Sequence, residues 1–183
     1  MTTSSSRVLI IDDDPVRLDT FASTLRLGLP GAEVETDTSA LAALERIRVS
    51  EYAAVLCDAH QPRLEGIGFV RAARKAHPQS PVLLVLEKHD EDFIRQAMNA
   101  GAYDVVVNPI DHVTLLFAVR RAIEAFRLRC QVQRERERLL AAMRAMLSDL
   151  EVLYGAHGLR SHFESFMASV EAESHTSRSR DER

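Results

Sequence analysis

At 183 residues, with 46% hydrophobic and 27% charged residues, the chain has ordinary globular composition. That excludes wholesale disorder and fits one domain plus an appendage, or two small domains. No apolar run approaches the ~20 residues that cross a bilayer, and MTTSSSR lacks the basic and apolar regions of a signal peptide, so neither is expected. The net charge of -4 gives no general reason to expect nucleic acid, and two cysteines, Cys57 and Cys130, make neither a disulfide framework nor a zinc site. A reducing cytoplasm is the simplest compartment.

Val8-Leu9-Ile10-Ile11 is a short apolar run closed by Asp12-Asp13-Asp14-Pro15, the pattern of a buried parallel strand. Val16, Phe21, Leu25 and Leu29 follow at helical spacing, with Asp14 as N-cap and Pro15 in the first helical position. Glu33–Asp37 reads as a second, weaker strand. Ser39 opens a helix with Leu41, Leu44 and Ile47 on one face. Ala53–Cys57 is a third buried strand, ending at Asp58. A helix from about Ile67 to His77 follows a loop through Pro62 and Gly66. Pro81–Leu86 is the fourth strand. The next helix presents Phe93, Ile94, Ala97 and Met98, and Gly101 ends it. Val105–Val107 is the fifth strand, closed by Asn108-Pro109.

Strands alternating with helices imply a parallel sheet covered on both faces, with chemistry at the carboxyl ends of the strands. Asp12 and Asp13 stand after the first strand and Asp58 after the third. In a sheet of order 2-1-3-4-5 those strands are neighbours, so the carboxylates converge.

IIDDDP (10–15), LCDAHQPRLEG (56–66), PVLLVL (81–86), AGAYD (100–104) and NP (108–109), in this order, resemble the receiver domain of two-component response regulators over residues 7–125. The resemblance implies a flavodoxin-like (βα)5 doubly wound α/β fold. It makes Asp58 the phosphoacceptor for a histidine kinase or phosphotransfer protein. It makes Asp12, Asp13, Asp58 and the backbone carbonyl of His60 the ligands of Mg²⁺, a hard ion suited to carboxylates and phosphate oxygens.

The sequence departs from that family where a phosphoryl group is sensed. Leu86 stands where the fourth strand ends in Thr or Ser. Asn108 stands where a Lys precedes a cis-proline. Val105 replaces the aromatic switch residue, and Gln61 replaces the Met before Pro62. The expectation is an atypical receiver that keeps its acidic pocket, binds a divalent cation and transfers phosphate slowly or not at all. It is not expected to be an enzyme, although Asp12-x-Asp14 also resembles haloacid-dehalogenase-type phosphatases; those expect Thr or Val after the second Asp, where Pro15 stands.

No Gly or Pro interrupts residues 111–153, so a helix of ~65 Å is expected at 1.5 Å per residue. Its middle, Arg127–Arg138, carries five arginines, read as a solvated face. Leu139, Met143, Met146, Leu150 and Leu153 return to 3-4 spacing and need a partner. A turn at Tyr154–Gly158 and a shorter helix with Leu159, Phe163, Phe166, Met167 and Val170 would complete a helical hairpin. The expected organisation is a disordered N-terminus at 1–6, the receiver at 7–125, a dimerising extension at 126–172 and a disordered tail at 173–183. Output would run through protein contacts or homodimerisation, with no nucleic acid and no membrane.

Overall fold

The computed structural model describes residues 6–154 and Ser165. Its elements are β1 (Ser6–Ile11), α1 (Pro15–Gly28), β2 (Ala32–Asp37), α2 (Ala40–Val49), β3 (Ala54–Asp58), α3 (Gly66–Ala76), β4 (Val82–Leu86), α4 (Glu91–Asn99), β5 (Asp104–Val107) and α5 (His112–Tyr154). The strands form one parallel sheet of order β2-β1-β3-β4-β5. This is the doubly wound α/β fold expected, with a long C-terminal helix.

Strand residues alternate between two cores. Val8 and Ile10 of β1, Leu56 of β3 and Leu83 and Val85 of β4 face α1 and α5, where Phe21, Leu25, Leu115 and Val119 pack. Leu9, Ile11, Val55, Cys57 and Leu84 face Ala43, Ile47, Phe69, Val70 and Ala97 of α2, α3 and α4. Burial on both faces is why β1, β3 and β4 read as unbroken apolar runs rather than alternating ones.

The helix starts follow their local chemistry. Asp14 caps α1, accepting from the backbone N–H groups of Val16 and Arg17, with Pro15 in the first turn. Ser39 caps α2 and Asp90 caps α4. The helix faces differ in part from the expectation. Phe21, Leu25 and Leu29 are buried as expected, but Val16 is 74% exposed, and Leu18 and Ala22 complete the buried face of α1. Leu41 and Met98 are also exposed, while Ala40, Ala43 and Ala97 are buried. Small alanines sit where helix and sheet approach most closely, and the bulkier residues of the same spacing fall at the rim.

β1 begins at Ser6, within the segment expected to be disordered, and the Ser6 hydroxyl accepts a hydrogen bond of 2.9 Å from Arg127 of α5. Contacts divide the chain into two compact units, Met1–Cys130 and Gln131–Arg183. In the second unit, α5 exposes Val132, Leu139, Met143 and Met146. Leu150 and Leu153 fall within α5, but their surroundings, like the turn and second helix expected after Tyr154, lie outside the described residues. Among the described residues, no helix is long and apolar enough to cross a membrane.

Candidate functional site

The parallel register puts Ile11 beside Cys57, so the residues that follow them, Asp12 and Asp58, meet at the carboxyl end of the sheet. Both are buried, at 1% and 3% exposure, whereas Asp13 and His60 are exposed. The loop after β3 folds over this end. His60 N–H donates to Asp58 Oδ2 at 3.3 Å, and the His60 ring stacks on Phe93 of α4.

The structure adds a residue that sequence reasoning missed. Arg17, in the first turn of α1, forks onto Asp12, with Nε 2.5 Å from Oδ2 and Nη2 2.9 Å from Oδ1. Its Nη2 also stands 3.5 Å from Asp58 Oδ1, and its Nη1 donates to Glu87, just after β4, at 3.2 Å. One guanidinium thus ties the ends of β1, β3 and β4 together. A signal was present in the sequence: a cation in the first turn opposes the helix dipole, so an Arg there needs a carboxylate partner. That the partner is Asp12, with Asp58 and Glu87 beside it, required the fold.

Burial pushes the Asp58 carboxyl above its usual range, Arg17 opposes that rise, and the Asp12 charge adds to it. The hydrogen bond to Asp12 holds the Arg17 guanidinium well above its ordinary value, against the opposing effect of burial. Asp58 Oδ1 is buried with no hydrogen-bond partner, an acceptor left for a cation or a proton. The donor set therefore suits a hard cation such as Mg²⁺. Arg17 holds Asp12 in this arrangement, and among the described residues no three His, Cys, Asp or Glu side chains are grouped closely enough to hold a metal ion.

The chain matches the model of the response regulator receiver domain over residues 8–120. It belongs to the receiver family. It is 32% identical over 126 residues to the C4-dicarboxylate transport transcriptional regulatory protein DctD of Pseudomonas aeruginosa, covering 68% of this chain and 27% of that protein. It is 33% identical over 118 residues to the transcriptional regulatory protein PrrA of Mycobacterium leprae, covering 64% of this chain and 49% of that one. Among solved structures it is similar to a CheY-like response regulator receiver domain protein of Methanospirillum hungatei, with TM-score 0.64 and 26% identity, covering 69% of this chain and 99% of that one. The chain spans about a quarter of the length of the first curated relatives, 27% in each case. A receiver domain of two-component signalling is thus the coarse function of residues 8–120.

Leu86, Asn108, Val105 and Gln61, expected from the sequence to depart from the receiver pattern, lie on or after β3, β4 and β5. Leu86 is 1% exposed and closes β4 with an aliphatic side chain that donates nothing. Asn108 precedes Pro109 through a cis peptide bond, and its side-chain oxygen accepts from the Ile110 N–H at 3.3 Å, so it serves the local turn. Val105, in β5, is partly buried and packs against the α2–α4 core. Asp14, the other residue singled out in this segment, caps α1 by accepting from the N–H groups of Val16 and Arg17. Gln61 is 4% exposed, and neither its oxygen nor its nitrogen has a hydrogen-bond partner.

Proposed function

We propose that this chain is an atypical receiver, a binding module and not an enzyme, whose output runs through protein contacts of α5 and the segment after it. The observation that carries the reading is the pair Leu86, a buried aliphatic side chain, and Asn108, whose side-chain oxygen accepts from the Ile110 N–H; by the receiver resemblance these positions would supply a hydroxyl and an ammonium to a phosphoryl group. Without those two donors, the charge developing on a transferred phosphoryl group has less stabilisation, and the phosphorylated product has less to hold it. Val105 is too small to report a rotamer change at the usual switch position. The exposed Leu139, Met143 and Met146 support a protein partner or a second copy of this chain on α5. The names of the relatives speak of transcription, and that output belongs to those whole proteins.

When bound, Mg²⁺ would offset charge at Asp58, with Asp12, Asp13, Asp58 and the His60 carbonyl as its protein ligands. A second reading keeps Asp58 as a working phosphoacceptor for a histidine kinase or phosphotransfer protein, with phosphorylation controlling dimerisation. It is supported by Asp58 Oδ1 at the end of β3, which accepts no hydrogen bond although Arg17 Nη2 stands 3.5 Å away. Intact mass after incubation with Mg²⁺ and a small phosphodonor separates the two. The first reading expects no stable gain. A gain of one phosphoryl group that disappears in Asp58→Asn overturns it in favour of the second.

A further inference from the structure

We propose that Arg17 is a built-in cation of the acidic pocket, and that a divalent ion gains this pocket only by displacing the guanidinium toward Glu87. The inference deepens the receiver reading of the same pocket but does not depend on whether Asp58 is phosphorylated.

Arg17 is held from three sides. Both carboxylate oxygens of Asp12 accept from it, Asp58 Oδ1 is 3.5 Å away, and Glu87 anchors the outer nitrogen. The Arg17 side chain is only 15% exposed, so its fork on Asp12 is partly shielded from water, unlike a surface ion pair. Asp12 Oδ1 is further committed to the Asp14 N–H at 2.9 Å. An ion approaching Asp12 therefore meets a carboxylate that already has a fixed partner on both oxygens. Because Arg17 is tethered to α1 one turn from its cap, it competes at high effective concentration and without an association cost. Glu87, 64% exposed, supplies a seat outside the pocket to which the guanidinium is already bonded. Displacement then breaks the Asp12 fork while the Glu87 pair persists.

The test is Mg²⁺ binding to the full chain, read by calorimetry and by the Mg²⁺ dependence of the melting temperature. Arg17→Met keeps an unbranched stem and removes the charge. The expected result is a Mg²⁺ dissociation constant at least about tenfold lower in Arg17→Met than in the wild type, the scale set by losing charge-assisted hydrogen bonds from the competing cation. Arg48→Met, at an exposed position of α2, makes the same change in net charge and is expected to leave the constant within about twofold. In the wild type, the Arg17 Nε–H resonance should shift as Mg²⁺ saturates. Should Arg17→Met fail to fold, Arg17→Lys, a point charge that cannot fork, is expected to fall between the two. Equal affinity in wild type and Arg17 variants overturns the proposal. So does an absence of Mg²⁺ binding in both, or a wild-type resonance that stays fixed at saturation. The change in Mg²⁺ affinity between wild type and Arg17→Met is read without phosphodonor, so its failure is distinguishable from the intact-mass result on Asp58.

Discussion

Gln61 offers the cleanest quantitative test of the receiver's β3–α3 loop. Its side chain is 4% exposed, and both polar atoms of the amide lack a hydrogen-bond partner. Burying an amide without compensation costs about 1–3 kcal/mol on the scale of protein mutational data. Methionine has nearly the same length and flexibility, fills the same space and has no polar group to strand. Gln61→Met is therefore expected to stabilise the fold by about 1–3 kcal/mol. For a protein of this size that is a rise in melting temperature of about 2–4 °C per kcal/mol. Urea unfolding followed by tyrosine fluorescence gives the free energy directly, because Tyr52 is buried in this unit and the chain has no tryptophan. An unchanged slope with a higher midpoint would mean that the native state gained stability. A neutral or destabilising Gln61→Met would refute the reasoning, since it would mean that the amide is satisfied, for instance by a bound water.

The Arg7–Glu35–Arg46–Tyr52 cluster on β1, β2, α2 and the segment just before β3 makes a pH prediction. Burial pushes the Glu35 carboxyl up, but hydrogen bonds from Arg7 and Tyr52 and the charges of Arg7 and Arg46 outweigh it, holding Glu35 below the usual carboxylate range. A lowered folded pKa contributes stability that is present above the unfolded value, near 4.3, and is lost as pH falls through the folded one. Glu35→Gln is thus expected to be less stable at neutral pH and to show a flatter acid limb in melts taken from pH 7 to 3; a parallel limb would count against the cluster. Gly101 has φ +94, and a Cβ there would also meet the Arg74 guanidinium. Gly101→Ala should cost about 1–2 kcal/mol, read from a urea midpoint, and no loss would contradict the left-handed turn after α4. Leu139→Glu tests the α5 stripe by sedimentation: the wild type should sediment as a dimer and the variant as a monomer, and identical profiles would remove α5 as a self-association seam.

The sequence by itself determined the alternation of strands and helices, the doubly wound sheet and the placing of Asp12 and Asp58 at neighbouring strand ends. It could do so because these follow from local rules: unbroken apolar runs closed by Asp-Pro or Asn-Pro, caps at Asp14 and Ser39, and the right-handed crossover that parallel strands require. The reading of Leu86, Val105 and Asn108 as altered switch positions rests instead on the resemblance to receivers, which assigns each position its usual residue. Which helix faces turn inward was only half legible, because spacing favoured large residues such as Val16 and Leu41 while close packing against the sheet selected Ala22, Ala40 and Ala43. The seat of Arg17 among the pocket carboxylates was decided by tertiary structure alone. Arg17 and Glu87 lie 70 residues apart and meet because α1 and the end of β4 border the same sheet end. Long side chains choose partners by reach and burial, not by spacing, so neither the guanidinium seated on Asp12 nor the stranded amide of Gln61 can be read until the chain is folded.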